Sequence, residues 1–273
     1  MMKENAYLAL RLNKMKNILA IETTGRHASA AVLKYEDQIE TEFLRSSLND
    51  MNHLVDLMSL IDDVLSEAGI EIKDVDVVSP SIGPGSFTGI RIGVATARAL
   101  SQALNTDCMP VRTLRGMVEL DRDRQMKSSH YVCTAINARR GQTYAALWKI
   151  DENGKVEEIL EQRQYMIDEL LSEILEVCNN EKLPIVFCGD GSDSYRTQLE
   201  EKLSVTEILF EIAPDENRYQ NAGAVARAAF SQIKAGKKLI SYDKLLPDYM
   251  RKTEAEMRLE QGELSEKCKE IGR

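Results

Sequence analysis

IETTGRHASAAVL (residues 21–33) and INARRGQTYAALW (residues 136–148) carry the same order of features. Each ends an apolar strand, makes a polar turn and enters a second apolar strand, with Ala30-Ala31-Val32-Leu33 set against Ala145-Ala146-Leu147-Trp148. A second pair, VVSPSIGPGSF (77–87) and IVFCGDGSDSY (185–195), follows in the same order and at nearly the same separation. One such match arises readily by chance. Two in the same order point to a duplicated unit, each copy a strand meander followed by helix, strand and helix. The fold class expected is therefore α/β, in two similar halves.

Working outward, strands are predicted over 17–21, 28–33 and 38–44 from short apolar runs separated by polar turns. Asn49 or Asp50 can cap a helix to Ala68, with Gly69 placed to end it. In that helix Leu54, Met58, Ile61 and Leu65 form a stripe that Leu57, Leu60 and Val64 widen to two sides. A helix apolar on two sides has two neighbours, both in the chain or one in a partner. A strand at 75–79 leads into SIGPGSFTGIRIG (81–93) and a helix over 88–104, where Gly89, Gly93 and Ala97 recur every fourth position. Glycine costs a helix about 1 kcal/mol relative to alanine, so two of them suggest that another backbone comes close. Ala95, Ala99 and Ala103 lie on the adjoining side. A last helix spans 221–235, ended by Gly236. The divisions expected are an N-terminal extension (1–14), an N-terminal half (15–115), a C-terminal half (116–250) and a charged tail (251–273).

The 273 residues carry a formal net charge of −9, which opposes unassisted binding to a polyanion. No apolar run reaches the roughly 18–20 residues needed to cross a bilayer, so a soluble chain with no membrane partner is expected. The first residues, MMKENAYLALRLNK, have no continuous apolar core or small-residue cleavage site, so they are not read as a signal peptide, and Met15 offers an alternative start. The five cysteines form no CxxC pair and sit in apolar segments, as reduced thiols of a cytoplasmic protein do. His27, His53 and His130 have no zinc-motif spacing, so no metal is expected.

An acidic residue in the first turn of a duplicated α/β chain suggests the class of actin-like, sugar-kinase and chaperone ATPases. Glu22, Thr23 and Thr24 stand where such proteins contact phosphate, and are candidates for a vestigial phosphate site. The matching place in the second half is Asn137, which brings no charge to a metal or proton. Phosphoryl transfer depends on metal and positioned charge, so its equipment is incomplete. GPGSFTG has no lysine and no GK[ST] ending, hence is not a Walker loop, although a helix starting there has free amides for an anion. No histidine lies near Ser79, Ser81 or Ser86 in sequence, so a serine hydrolase is not supported. Arg139 and Arg140 occupy the second turn, where they meet solvent, an anion or a partner's carboxylates.

Three segments, ILAIETT, GPGSFTGIRIG and INARRGQTYAALW, with PDYMRKTEAE near the end, resemble the signatures of the bacterial TsaB (YeaZ) family of tRNA threonylcarbamoyladenosine biosynthesis proteins. The resemblance spans about residues 15–257. It implies a duplicated ASKHA fold (actin-like ATPase, ribonuclease H-like) and a non-catalytic paralogue of TsaD, the subunit that transfers threonylcarbamoyl to N6 of adenosine 37 in tRNAs reading ANN codons. It also implies partnership with TsaD and TsaE, indirect contact with tRNA, and pairing with TsaD or with itself through the helices of the N-terminal half. The candidates carried onto this sequence are His53, Leu54, Leu57, Met58, Ile61 and Leu65 in the first helix and Gly89, Arg91, Ile92, Gly93, Thr96 and Ala97 in the second. No intrinsic cofactor is expected, with ATP or ADP a candidate only at the junction with the partner. TsaD's two metal-binding histidines do not carry over, because the first helix has only His53. The competing expectation is a free-standing ATPase or phosphotransferase of the same fold. The extension, the tail and Glu22, where some relatives have aspartate, depart from the family pattern.

Overall fold

A computed structural model describes residues 15–47, 53–124, 126 and 128–250. The extension, the proposed cap at Asn49 or Asp50 and the tail lie outside the described residues. Strands β1 (Asn17–Glu22), β2 (Ser29–Glu36) and β3 (Ile39–Ser46) form an antiparallel meander, and β4 (Val77–Pro80) and β5 (Asp107–Cys108) add in parallel beside β1. The sheet order is β3-β2-β1-β4-β5. β6 (His130–Arg139), β7 (Gln142–Ile150), β8 (Val156–Met166), β9 (Ile185–Cys188) and β10 (Phe210–Ile212) repeat it, as β8-β7-β6-β9-β10. The pairings repeat as well: β6 is antiparallel to β7 and β7 to β8, while β6–β9 and β9–β10 are parallel. This is the duplicated ASKHA-like α/β architecture. The first strand of each half sits third in its sheet, so NILAIE is apolar on both faces and every residue of β1 is buried.

Helices α1 (His53–Ala68) and α2 (Phe87–Leu104) cover one face of the first sheet. Leu57, Ile61, Val64 and Leu65 of α1 pack with Ala30, Val32, Ile90 and Val94. The sheet and α2 thus take up Leu57, Leu60, Ile61, Val64 and Leu65 of the α1 stripe, while Met58 stays half-exposed. Each such buried aliphatic side chain contributes about 1.5–3 kcal/mol of transfer free energy. α1 ends at Gly69, whose φ of +66° needs no Cβ. α2 begins at Ser86, whose hydroxyl accepts from Gly89 N at 3.2 Å.

After the short α3 (Thr113–Met117), helices α4 (Ile167–Glu181), α5 (Asp190–Ser194) and α6 (Arg196–Leu203) belong to the second half. Helix α7 (Ala222–Lys234), the last α-helix among the described residues, does not pack as its place in the sequence suggests. Its alanines, with Val225, Phe230 and Ile233, lie on the far face of the first sheet against Ile18, Ala20, Ala31 and Leu33. Ala224 of the same helix joins the core of the second half. Arg227 holds Glu42 of β3 through two bonds of 3.0 and 2.9 Å, fastening the helix to that sheet. Among the described residues, no helix is long and apolar enough to cross a membrane.

Candidate functional site

The first turn, the candidate site for phosphate contacts, is sealed by the chain itself. Glu22, Thr23 and Thr24 are buried, with 0%, 0% and 2% of their surfaces exposed. The Thr24 amide and hydroxyl both donate to Glu22 Oε1, at 2.5 and 2.6 Å, and the Thr23 hydroxyl donates to the Gly89 carbonyl at 2.7 Å. The Thr113 hydroxyl lies 3.3 Å from that of Thr24 and 2.8 Å from that of Ser81, so three hydroxyls extend the network across β1, the loop after β4 and α3. These donors serve the fold.

The glycines of SIGPGSFTGIRIG make the seal. Ser86 N donates to the Thr24 carbonyl at 2.8 Å, and a Cβ on Gly85 would stand 2.6 Å from that same oxygen. A Cβ on Gly89 would overlap the Thr23 carbonyl, and one on Gly93 the Thr23 hydroxyl. From the second half, Gln220 covers Gly25, whose absent Cβ would lie 2.7 Å from Gln220 Cδ. The close approach read from the four-residue spacing is real, but the backbone that approaches is the chain's own first turn.

Burial pushes the Glu22 carboxyl above its ordinary range, and the Thr24 bonds only partly offset this. Its Oε2 has no hydrogen-bond partner among the described residues. A carboxyl held toward its neutral form and threonine donors committed internally do not fit a nucleotide's phosphates or their magnesium.

The second turn is open. Asn137 N donates to Asp190 at 3.0 Å, its side-chain amide donates to Ser194 at 2.8 Å, and its Oδ1 accepts from Arg139 N at 2.7 Å. Arg139 and Arg140 are exposed and left-handed, with φ of +64° and +55°. No carboxylate stands at the position that matches Glu22.

The helix residues assigned to a partner surface separate into two sets. Leu57, Ile61 and Leu65 lie in the first core, and Gly89, Gly93 and Ala97 are buried against the first turn or the sheet. Their burial within the chain corrects their reading as surface residues. Met58 is 49% exposed, Arg91 is exposed, and Ile92 and Thr96 are half-buried. The side chains of His53 and Leu54 lie outside the described residues. Thr88, Ala95 and Ala99 are exposed on the same side of α2 as Arg91, leaving a low surface open to solvent. Sequence reasoning missed Tyr249, whose ring stacks on Phe87 at 5.1 Å. The PDYM segment was legible as a motif, but nothing local says where it folds back.

The sequence model of the family described as "TsaD: tRNA N6-adenosine threonylcarbamoyltransferase" matches residues 47–259. The chain belongs to that family, and within it to the TsaB/YeaZ group. It is 26% identical over 242 residues to the tRNA threonylcarbamoyladenosine biosynthesis protein TsaB of Bacillus subtilis, covering 88% of this chain and 96% of that one. With TsaB of Escherichia coli the identity is 31% over 137 residues, 50% of this chain and 57% of the other. The solved structure "YeaZ from Pseudomonas aeruginosa" superposes with a TM-score of 0.64 at 19% identity, covering 86% of this chain and all of that one. A second, the crystal structure of an uncharacterized protein with similarity to peptidase YEAZ from Pseudomonas aeruginosa, gives 0.69 at 20% identity, over 87% and 100%. At those identities the structures show the shared TsaB/YeaZ fold.

In this TsaB/YeaZ member, the described residues hold no group of three or more His, Cys, Asp or Glu arranged to bind a metal. Cys108, Cys133, Cys178 and Cys188 are buried and reduced. Burial pushes the thiols of Cys178 and Cys188 up to about 12 and that of Cys133 higher, so all three stay protonated and unreactive.

Proposed function

We propose that this chain is a non-catalytic subunit of tRNA threonylcarbamoyladenosine biosynthesis. It docks a TsaD-type transferase on the exposed side of α2 and the neighbouring Met58, and holds that subunit in its active form. TsaE joins the assembly, and tRNA is reached through the complex, as suits a chain of net charge −9. The acceptor is N6 of adenosine 37 in tRNAs reading ANN codons. The TsaB relatives support the pathway, and the match of a TsaD sequence model supports the partner.

The observation that carries the absence of catalysis is the first turn. Glu22 and both threonines are spent on internal bonds beneath a glycine-rich loop, while the second turn has Asn137. A free-standing ATPase needs those groups turned outward. We place any ATP or ADP of the assembly at the junction with the transferase subunit. A homodimer through the same exposed side would compete with the transferase for it.

The test is co-purification and calorimetric titration with a TsaD homologue, beside ATP turnover by the purified chain. The expected result is a stoichiometric complex and no turnover by the chain alone. ATP hydrolysis that purifies with the chain and disappears in Glu22→Gln would sink this reading.

A further inference from the structure

The last described residues cross the glycine-rich loop and end against α2. Leu245 is buried in the first core, and Asp248 N donates to the Ile82 carbonyl at 2.8 Å. The Asp248 carboxylate takes Arg112 Nε at 2.7 Å. Gly83 has no Cβ where the Asp248 carbonyl passes, so the strap and the loop are fitted to each other. Beyond this fastening the Tyr249 ring stacks on Phe87, with 5.1 Å between centroids and 17° between planes. The Tyr249 hydroxyl accepts from Arg91 Nε at 3.0 Å, and the Arg91 guanidinium sits 5.7 Å from the ring centre.

Arg91 is exposed, and this bond commits only its Nε. Its two Nη groups have no hydrogen-bond or ion-pair partner among the described residues. Next to it on α2 are the exposed Ala95 and Ala99, which let a partner's backbone approach. A free arginine samples many rotamers; one tied at Nε and braced by a stacked ring presents its outer fork in a fixed direction. That fork matches a carboxylate through two parallel bonds, which a lysine cannot reproduce. A nucleic-acid backbone calls for several cations in line, whereas α2 offers Arg91 and Arg98 in an acidic chain.

We infer that Tyr249 is a positioning residue that aims Arg91 at a carboxylate of the transferase subunit docking on α2. This rests on the docking surface proposed above. The experiment is titration of the full chain and its variants with a TsaD homologue at two salt concentrations, with Ala99→Arg as the control for the surface itself. Arg91→Ala is expected to weaken binding about fifty-fold and Arg91→Lys about tenfold, with a flatter salt dependence for Arg91→Ala. Tyr249→Phe keeps the stacked ring and removes only the acceptor, so it is expected to weaken binding about fivefold in the native background and not at all in Arg91→Ala.

Affinities of the Arg91 and Tyr249 variants equal to the unaltered chain, with Ala99→Arg weakening binding about a hundredfold, would overturn this inference and leave the docking surface standing. Unchanged binding by Ala99→Arg too would remove the surface and the inference together. A fall in tRNA retention by the assembled complex with partner affinity intact would assign Arg91 to a phosphate and overturn it. So would a loss of thermal stability in isolated Arg91→Ala with partner affinity unchanged, since Arg91 would then serve only the fold.

Discussion

The two strand-turn-strand units occupy equivalent places in equivalent sheets and are finished in opposite ways. The first turn holds a carboxyl group at full burial beneath Gly85 and Gly89, with its hydroxyls committed inward. The second holds an amide at the matching place and leaves two left-handed arginines in solvent. Duplication sets topology, and what covers each copy sets its chemistry. The first copy is packed by α2 on one side and by α7, returning from the second half, on the other. A turn closed this way is a structural joint. The open turn is a surface feature that tolerates change.

The sharpest way to break this contrast is to put a methyl group in each turn. Gly89→Ala forces a Cβ into the Thr23 backbone carbonyl, and is expected to cost about 3 kcal/mol or more and to yield little folded protein. Gly141→Ala, in the second turn, meets only Met166 Cε at 3.6 Å, so the cost is that of a left-handed alanine, about 1 kcal/mol. Denaturant unfolding of both compares them directly. Equal costs would mean that the first turn is not a packed joint.

Ala99→Arg probes the outward side of the helix whose inward side makes the seal. Its side chain enters solvent in the isolated chain, so the melting temperature should stay within about 1 °C of the native value, while affinity for the transferase falls about a hundredfold. Loss of stability instead would show that this side of α2 is covered within the chain.

Both contrasts also show what the sequence could and could not tell. The halves, the meander that opens each and the places of both turns were legible, because apolar runs and polar turns recur in register at residues 21–33 and 136–148. The direction of Gly89 and Gly93 was not. Four-residue spacing says that something comes close to a helix, and only the sheet beneath it shows that Thr23 is what comes close. The breadth of the α1 stripe left two readings open in the same way, and the sheet and α2 take up Leu57, Ile61, Val64 and Leu65 while Met58 stays half-exposed. Nor could Tyr249 be linked to Phe87 and Arg91 from a chain separation of about 160 residues, since nothing local encodes where a strap returns.

Glu22→Gln tests the buried carboxyl more gently. A raised carboxyl pKa means that the folded chain holds the proton more tightly than the unfolded one, so stability is lost as pH rises from 4.5 through the folded value. Glutamine keeps the acceptor used by Thr24 and has no charge to desolvate. The melting temperature of Glu22→Gln should therefore match that of the native chain at about pH 4 and exceed it as pH rises above the ordinary carboxyl range. A variant less stable at every pH would show that Glu22 is held as the anion. The smallest effect is expected at the open turn: Arg140→Gly relieves a left-handed arginine at φ +55° while loosening the unfolded chain, leaving stability within about 0.5 kcal/mol. A larger loss would mean that the two turns are less different than their burial indicates.

The central claim is that the first turn is a joint and the chain an activating subunit. The direct measurement is the rate of threonylcarbamoyl transfer to tRNA in a mixture of TsaD and TsaE homologues, without this chain, with it, and with its Glu22→Gln variant. The account predicts slow transfer without the chain and equal, strong stimulation by the native and Glu22→Gln forms. Transfer that needs no chain, or stimulation lost with Glu22→Gln while the variant still folds and binds, would contradict it.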